Sequence, residues 1–440
     1  MLLGIDIAVW SILILVAMVG LLVIGVPLAF TTGGIGVALC LLLFGPQGLF
    51  LLASRTFTFF DTYVLVAVPF FIFMASIFEK SGLASDLYNA VKLWTGRLPG
   101  GAAIVTTVFG IIIGAIIGVA GGEIVLMGLV AMPQLLRLGY DRKITIGLVC
   151  ATGALGSMIP PSIILVFYGL SANVSIGDLF LASFLPGLLL AVLFVAYVLI
   201  RCIVNPSLGP PPPLAETQLP FAAKLKLLTG VALPMLVLLA TLGSIYLGIA
   251  SVTESAAVGT VGTIVAVWIR RELTATLIRE AMVQTMSACG MVLWLVIGTN
   301  ALIGVYNLMG GIEFAKELLT NLPFPPFIVL SMMLLVWIFL GFFIDWIGIL
   351  LLTMPVFLPV ILAFGYDPLW FGVLFNMAMQ VAYLTPPFAP AAFYLKGVAP
   401  PGMTLEEIFS AMWPFIGLQL LGLAIVTALP QIALWLPALI

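Results

Sequence analysis

Two acidic residues lie next to interruptions of long apolar runs. Glu123 follows the glycine-rich stretch Gly118-Val119-Ala120-Gly121-Gly122, and Asp345 stands between Ile344 and Trp346. An acid at membrane depth is costly to bury, so each is a candidate for a functional site. The alternative is that each carboxylate stabilises a helix N-terminus. Capping competes with ligand binding most directly for Glu123, which immediately precedes an apolar run.

Two proline pairs interrupt other apolar segments, Pro160-Pro161 in the first half of the chain and Pro386-Pro387 in the second. Proline removes a backbone donor and frees carbonyl groups of the preceding turn. Further candidate residues flank the pairs: Gly156, Ser157, Ser162 and Thr385. Oxygen ligands of this kind suit a small hard cation, and the N–H groups that open the following half-helix suit an anion. A simple proline kink is the alternative, but two related breaks favour a binding site.

Three side-chain amides lie in apolar surroundings near these breaks. Asn376 and Gln380 are four residues apart, so they share one helix face. Asn300 lies in the helix that precedes the second acidic break. We predict that these amides contribute to a site for substrate and sodium. Its Na⁺ ligands are predicted to be mainly backbone oxygens at four places: near Gly118, Ser157, Asp345 and Thr385.

The remaining composition excludes several classes of protein. The chain has no His, and its four cysteines show no CxxC spacing, so the commonest general base and metal ligand are missing. No Walker-type phosphate-binding loop occurs. We therefore expect no enzyme and no organic cofactor, and an ion gradient must supply the energy for any transport. The missing His favours Na⁺ over a proton relay, although acids alone can carry protons. A net charge of -2 gives no reason to expect a nucleic-acid partner.

Composition and hydropathy predict an all-α polytopic membrane protein. Charged residues make up 7% of the chain, against about 25% in soluble domains, and the mean hydropathy is +1.33. The first half, 1-203, is predicted to contain scaffold helices within 5-80 (near 5-31, 35-54 and 62-80), an arm at 81-97, a re-entrant hairpin at 99-137, a broken helix at 143-170 and a helix at 177-203. A proline-rich cytoplasmic linker follows at 204-223. The second half, 224-440, is predicted to contain scaffold helices within 224-309 (near 224-249, 254-269 and 281-309), an arm at 311-321, a hairpin at 325-364, a broken helix at 368-396 and a helix at 405-437.

The two halves are related by a single shift of 226 residues (365 minus 139). It carries Gly139-Tyr140-Asp141 onto Gly365-Tyr366-Asp367 and the first proline pair onto the second. It also carries the first tip onto the second, with Gly122 falling on Gly348. Because each half is predicted to cross the membrane five times, the second half would enter it inverted, as in the inverted repeats of secondary transporters.

The basic residues predict the orientation of these ten crossings. With both termini on the periplasmic side, only Arg55 and Lys316 lie outside, which leaves 13 of the 15 basic residues inside (15 minus 2). This distribution satisfies the positive-inside rule.

Several motifs resemble those of the large membrane (M, DctM-like) subunit of tripartite ATP-independent periplasmic (TRAP) transporters, over essentially the whole chain. The most specific are Gly96-Arg97-Leu98-Pro99-Gly100-Gly101, Ile159-Pro160-Pro161-Ser162, Thr253-Glu254-Ser255-Ala256-Ala257-Val258-Gly259 and Thr385-Pro386-Pro387. The resemblance implies sodium-coupled import of organic acids by an elevator-type movement in the bacterial inner membrane. Many members carry a Ser-Gly-Ser first tip, which Gly118 to Glu123 replaces here, so only backbone ligation carries over to that tip.

The expected partners are a small four-helix Q subunit on a separate chain, a periplasmic substrate-binding protein (the P subunit), the organic acid and the lipid bilayer. The small first tip favours a small acid such as a 2-oxo acid or a sulfonate. Two rival functions remain open at this stage. One is a stand-alone ion-coupled carrier of the same type without a binding protein, and the other is an intramembrane enzyme, which the missing His disfavours.

Overall fold

The computed structural model describes residues 5–91, 98–118, 121–211 and 229–439, and this part of the chain is almost entirely helical. Some sequence-based expectations fall outside the described residues. These are Val119 and Ala120 of the first tip, most of the 204-223 linker, and the basic residues Lys92, Arg97, Lys224 and Lys226.

The N-terminal region forms four helices where the sequence predicted three. They are α1 (Ile7–Val23), α2 (Leu28–Phe44), α3 (Gly48–Phe60) and α4 (Ala67–Lys80), the last preceded by a 3-10 turn at Tyr63–Val66. The predicted bounds 5-31 and 35-54 were wrong because glycines with positive φ end two helices early, Gly25 at φ 89° and Gly45 at φ 68°. Hydropathy averaging hides such breaks. The added helix α3 has 13 residues, too few to cross an apolar core of about 30 Å by itself. The number of crossings stays a prediction.

The rest of the first half follows the predicted order. It contains α5 (Leu83–Val91), a helical hairpin of α6 (Gly101–Ile117) and α7 (Gly122–Arg137), then α8 (Arg142–Leu155) and α9 (Ile163–Ala172), separated by the first proline pair, and finally α10 (Ile176–Val204). Local signals set these starts. Asp141 accepts a hydrogen bond from the Ile144 N–H at 3.0 Å and so caps α8.

The second half has the same order of elements. It comprises α11 (Thr229–Tyr246), α12 (Val252–Ile269), α13 (Ala275–Leu308), α14 (Gly311–Thr320), the hairpin α15 (Pro326–Leu340) and α16 (Trp346–Ala363), the broken pair α17 (Pro368–Leu384) and α18 (Pro390–Val398), α19 (Leu405–Ala428) and the short α20 (Gln431–Leu434). Helix α13 begins six residues before the predicted start at 281, because Thr274 caps it through the Leu277 N–H at 3.1 Å.

The 226-residue shift also relates helix starts in the structure. Residue 142, the start of α8, maps onto 368, the start of α17, and residue 163, the start of α9, maps onto 389, one residue before α18. This agreement supports a repeat of the hairpin and the broken helix. The inverted orientation of the halves stays a prediction.

The most deeply buried helices are those that flank the breaks. Every residue of α8 from Ile144 to Leu155 is buried, and so is every residue of α17 from Trp370 to Ala382. Tyr168 on α9 donates a hydrogen bond to the Pro368 carbonyl at 2.6 Å and thereby joins the two halves. The broken helices therefore form the centre of the molecule.

Six of the described helical segments are long and apolar enough to cross a membrane, among them Ile176–Val204 with 29 residues and Ala275–Leu308 with 34. Trp346–Ala363 also qualifies, although the sequence analysis assigned it to a hairpin. Shorter apolar helices such as α1 and α2 make up the rest of the apolar body.

The arm helix α5 is fastened to the end of α12 by charged groups. Arg270 forms an ion pair with Asp86. It forms a second ion pair with one carboxylate oxygen of Glu272, at 2.9 Å. The other oxygen of Glu272 accepts a hydrogen bond from the Gly82 N–H at 2.9 Å. Hydrogen bonding to Arg270 lowers the pKa of the Glu272 carboxyl group. The start of the arm is thus held by a carboxylate–guanidinium cluster.

Candidate functional site

The first break, Gly156 to Ser162, receives side chains from the opposite half of the molecule. The amide nitrogen of Asn376 donates to the Ser157 carbonyl at 3.1 Å, and the amide nitrogen of Gln380 donates to the Ser157 hydroxyl. Both amides are buried. The predicted shared face of Asn376 and Gln380 therefore meets the first proline break directly.

Several buried oxygen atoms around this junction have no hydrogen-bond partner among the described residues. They are the amide oxygens of Asn376 and Gln380, the hydroxyl of Ser162 and the phenol of Tyr383. Buried polar atoms in native proteins almost always have a partner, so a group of unpaired oxygens calls for an explanation such as a bound ion. This set matches the ligand preference of a hard cation.

A small cavity is lined by two of these four residues, Gln380 and Tyr383. Its volume is about 20 Å³ and its polar lining comes from Ser157, Asp345, Gln380 and Tyr383. About 10–15 Å³ is enough for one water-sized occupant. None of the described residues that line this cavity is Lys or Arg, so none of these side chains carries a positive charge.

The second hairpin tip brings Asp345 to this cavity. Asp345 is the N-cap of α16, with its carboxylate accepting the Ile347 N–H at 3.4 Å. Both interpretations of this acid are therefore compatible, because it caps a helix and lines the cavity. The tip packs closely, since a side chain at Gly341 would overlap the Ala382 Cβ and one at Gly348 would overlap the Leu28 side chain.

The first hairpin tip docks on the first break through Glu123. This side chain is buried, and neither carboxylate oxygen has a partner among the described residues. The Gly118 backbone amide lies beside it, and a Cβ at Gly156 would overlap its carboxylate. Glu123 thus makes no capping hydrogen bond with a described residue, and Gly156 leaves the space that the carboxylate fills.

Backbone contacts complete this docking. The Gly118 carbonyl accepts the Ile163 N–H at 3.3 Å, and a Cβ at Gly118 would overlap the Pro161 carbonyl oxygen. Gly118 has φ 57°, a conformation that favours glycine. The first tip therefore lies against the backbone of the Pro160-Pro161 turn, and ligation of Na⁺ by these carbonyls stays a prediction.

The remaining glycines of this tip face other elements. Gly121 has φ 113° and would place a side chain 2.9 Å from the Tyr394 ring. A Cβ at Gly122 would lie 3.2 Å from the Glu79 carboxylate on α4. Gln284 on α13 donates to Glu79 at 3.2 Å and accepts from Ser76 at 2.8 Å. The first tip is thus in contact with a polar cluster of the N-terminal helices and α13.

At the second break, Thr385 is already engaged locally. Its hydroxyl donates to the Val381 carbonyl at 2.6 Å, and its carbonyl accepts the Ala389 N–H at 3.2 Å across Pro386-Pro387. Asn300 lies on α13, and its amide nitrogen has no partner among the described residues. No described hydrogen bond connects Asn300 to the cavity.

Sequence reasoning missed three polar residues, Tyr383, Glu79 and Gln284. Tyr383 could have been found, because the 226-residue shift places it on Ser157 (383 minus 157). Glu79 and Gln284 are 205 residues apart and meet only in the folded chain, so no local signal indicated them.

Broken helices that meet two hairpin tips, with unpaired polar oxygens between them, define a membrane transport protein. The family comparison agrees with this class. Residues 15–432 match the family described as the DctM component of tripartite ATP-independent periplasmic transporters, and the chain belongs to this family. It is therefore the large permease subunit of a TRAP transporter, an integral membrane protein of a transport family and not an enzyme.

Curated relatives have transport names with different substrates. The chain is 29% identical to the C4-dicarboxylate TRAP transporter large permease protein DctM of Pseudomonas aeruginosa, covering 92% of this chain and 93% of that protein. It is 28% identical to the ectoine TRAP transporter large permease protein TeaC of Halomonas elongata, covering 95% and 97%. It is also 28% identical to the isethionate TRAP transporter permease protein DctMQ of Oleidesulfovibrio alaskensis, covering 94% of this chain and 64% of that protein.

Solved structures share the fold at low identity. The YdaH transporter of Alcanivorax borkumensis superimposes with a TM-score of 0.66 at 14% identity, over 89% of this chain and 90% of that one. MtrF of Neisseria gonorrhoeae gives a TM-score of 0.63 at 18% identity, over 89% and 85%. Both confirm a membrane-transporter fold.

Proposed function

We propose that this subunit imports a small organic acid anion together with Na⁺ across the bacterial inner membrane. Its proposed partners are those of the family, a periplasmic binding protein that delivers the substrate and a small membrane subunit. The observation that carries the proposal is the group of unpaired oxygens around Ser157, next to a cavity with an acidic lining and no cationic side chain among its described residues.

Charge balance explains why sodium and an anion would bind together. Glu123 and Asp345 lie at the two tips, and burying an unpaired carboxylate costs several kcal/mol, of the order of 2–7 for even a neutral polar group. A sodium ion at the unpaired oxygens offsets this cost and supplies the positive charge that the cavity lacks. The substrate carboxylate or sulfonate then binds where Na⁺ has neutralised the acids, so neither species binds well alone.

The first half-helix contributes to the proposed anion site. Helix α9 begins at Ile163, directly after the first proline break, and Ile164 lines the cavity. Backbone N–H groups at a helix start carry partial positive charge. These backbone N–H groups would therefore stabilise the negative charge of the bound substrate.

Two groups of elements would then move against each other. The hairpins and broken helices form one unit around the cavity, and the N-terminal helices with α11 to α13 form the scaffold. In this proposal the first unit carries substrate across the membrane as an elevator, and the tip contacts to Glu79 and Leu28 change during the cycle.

Reconstitution with the partner subunits tests the coupling. Uptake should require an inward Na⁺ gradient, and a proton gradient alone should not support it. Uptake driven equally by protons without sodium would overturn the sodium assignment. A panel containing a C4-dicarboxylate, a 2-oxo acid and a sulfonate would identify the substrate class.

Two matched Asp→Asn variants test the site itself. Asparagine caps helices well, so Asp345→Asn keeps the helix cap and removes only the cavity carboxylate. The apparent Na⁺ affinity should then fall roughly tenfold, as for the loss of about 1.4 kcal/mol. Asp367→Asn alters the N-cap of α17, where the carboxylate accepts the Leu369 N–H at 2.7 Å, and should leave Na⁺ dependence unchanged. Equal behaviour of the two variants would show that Asp345 acts only as a cap.

A carrier that works without a binding protein is the second candidate. Substrate uptake by this chain reconstituted alone would decide for that candidate.

A further inference from the structure

A second polar cavity lies where α10 ends, and it shares no lining residue with the transport cavity. It has a volume of about 210 Å³ and lies between the start of α8, the end of α10 and the first half of α19. Its polar lining includes Asp141, Lys143, Tyr197 and Arg201. The charge distribution predicts that these residues face the cytoplasm.

The cavity carries a net positive charge. Lys143 has no ion pair with a described residue. Among the described residues, Arg201 donates to the Tyr197 phenol at 3.2 Å, with its guanidinium 5.8 Å from that ring's centre. Asp141 is the one acid among the described lining residues, and it is engaged as the cap of α8 at 3.0 Å from the Ile144 nitrogen. Two cations against one carboxylate leave one unbalanced positive charge. Arg142, which precedes Lys143 in the chain, is paired with Glu407 through bonds of 2.9 and 3.1 Å.

The walls of this cavity are fixed by the fold. After α10 the chain turns back at Pro206–Leu208, and the Leu208 carbonyl accepts the Asp141 N–H at 2.9 Å. On the other side, the Phe415 ring of α19 packs edge-on against Tyr197 with 5.4 Å between ring centres. The two cations are therefore presented by a formed pocket with an apolar floor.

The surroundings of the pocket indicate a lipid. Arg201 lies in the last turn of an apolar 29-residue helix, and the residues next to it are strongly exposed, with Ile200 at 61% and Val204 at 80%. Trp413 on α19 is 57% exposed. Apolar side chains of this kind face acyl chains, whereas basic residues at helix ends reach the headgroup level.

We propose that this pocket binds the phosphate group of an anionic phospholipid, with Lys143 and Arg201 as its ligands. A phosphodiester carries one negative charge at neutral pH, which matches the one unbalanced positive charge of the lining. The acyl chains would lie against Ile200 and Trp413 on the outer surface. The lipid would thereby bridge α10 and α19, the helices that follow the two broken helices.

Lipid retention by the purified full-length protein, with its membrane partner subunit, tests this proposal. Native mass spectrometry would compare binding of phosphatidylglycerol with binding of phosphatidylcholine. The wild type should retain phosphatidylglycerol preferentially. The double variant Lys143→Gln/Arg201→Gln should bind it roughly thirtyfold more weakly, the effect expected for two basic groups near an anionic lipid.

Controls keep the result interpretable. Arg279→Gln removes an exposed cation from the same predicted face and should leave lipid retention unchanged. The melting temperature of the double variant in detergent, without added lipid, shows whether it folds. Equal retention of both lipids by the wild type, or unchanged phosphatidylglycerol binding by a folded double variant, would overturn the proposal. If millimolar inorganic phosphate displaced the retained lipid, and the protein retained both lipids equally, the pocket would be assigned to free phosphate instead.

Discussion

At the residue scale, the chemistry of this transporter subunit depends on uncharged amides as much as on acids. Asn376 and Gln380 each use their nitrogen to fasten Ser157, which leaves their oxygens unpaired in the protein interior. An amide oriented in this way presents a neutral oxygen to a cation without adding negative charge. The acids Glu123 and Asp345 can then set the charge of the site while the amides set its geometry.

Replacing Gln380 with Leu should weaken sodium binding. The substitution removes an oxygen ligand and the bond to the Ser157 hydroxyl, and a hydrogen bond of this kind contributes about 1 kcal/mol. We expect the Na⁺ concentration for half-maximal uptake to rise roughly tenfold, measured in proteoliposomes.

Gln419→Leu is the matched control for that variant. Gln419 is also buried and its amide atoms also lack described partners, but it does not line the cavity. Its replacement should leave sodium dependence unchanged. A similar shift in both variants would mean that Gln380 acts through packing and not through the ion.

At the element scale, close approach between glycines and carbonyl or carboxylate groups lets the hairpins reach the broken helices. Gly156 accommodates the Glu123 carboxylate, Gly118 accommodates the Pro161 carbonyl, and Gly341 accommodates Ala382. Each of these contacts would be lost with any side chain larger than hydrogen. The position of the two tips therefore depends on glycines that leave room for these contacts, together with the backbone hydrogen bond between Gly118 and Ile163.

A Gly156→Ala substitution should separate the first tip from the first break. The added Cβ would overlap the Glu123 carboxylate, so the carboxylate or the break must move. We expect uptake to fall at least tenfold while the folded protein persists, measured by transport together with detergent melting.

Gly417→Ala provides the comparison for this prediction. Gly417 lies inside α19, where an added Cβ would meet nothing within 4 Å, and alanine stabilises a helix interior by about 0.5–1 kcal/mol relative to glycine. Transport should be normal in that variant. Full activity of Gly156→Ala would show that the docking of the first tip is not required.

The arm of the first half gives a pH-dependent prediction. The pKa of Glu272 is lowered in the folded state, first because it is hydrogen-bonded to Arg270. A carboxyl group with a lowered folded pKa stabilises the protein above its ordinary pKa and loses that contribution as the pH falls through the folded value. Acidification below about pH 4.5, the ordinary range of Glu, should therefore loosen α5 more in the wild type than in Glu272→Gln. Hydrogen exchange in Leu83–Val91 at several pH values measures this difference, and identical pH profiles would contradict it.

At the scale of the whole molecule, the sequence predicted the order of elements better than their bounds. The hairpins, both breaks and the final long helices were foreseen because glycine and proline mark them in otherwise apolar sequence. Helix α3 was missed because the predicted helix 35-54 was drawn across Gly45-Pro46-Gln47-Gly48, a break that the sequence does show, and the start of α13 was missed because its first turns are polar. Within the site, the pairing of Asn376 with Ser157 follows from the fold, since these residues are 219 apart and no local pattern joins them.

Cysteine labelling tests the predicted orientation of the molecule. If both termini are periplasmic, a cysteine placed at Lys316 should react with an impermeant thiol reagent applied from outside, and one at Arg279 should react only after the membrane is opened. The native cysteines Cys40, Cys150 and Cys202 are buried, which limits background, and Cys289 can be replaced. The reverse labelling pattern would overturn the predicted topology.

The 226-residue correspondence has a consequence for how the two halves evolved. Asn376 and Gln380 correspond to Cys150 and Ala154 in the first half, and Tyr383 corresponds to Ser157. If the predicted repeat arose by duplication, the backbone breaks were preserved while the polar side chains diverged, and these side chains now lie mostly in the second half. A chimera with two copies of the second half would have two sets of amides without their serine. A chimera with two copies of the first half would have the serine without its amides. Either chimera would keep both hairpins. On that prediction, an ancestral symmetric dimer of one half would have bound its cargo with a different set of side chains.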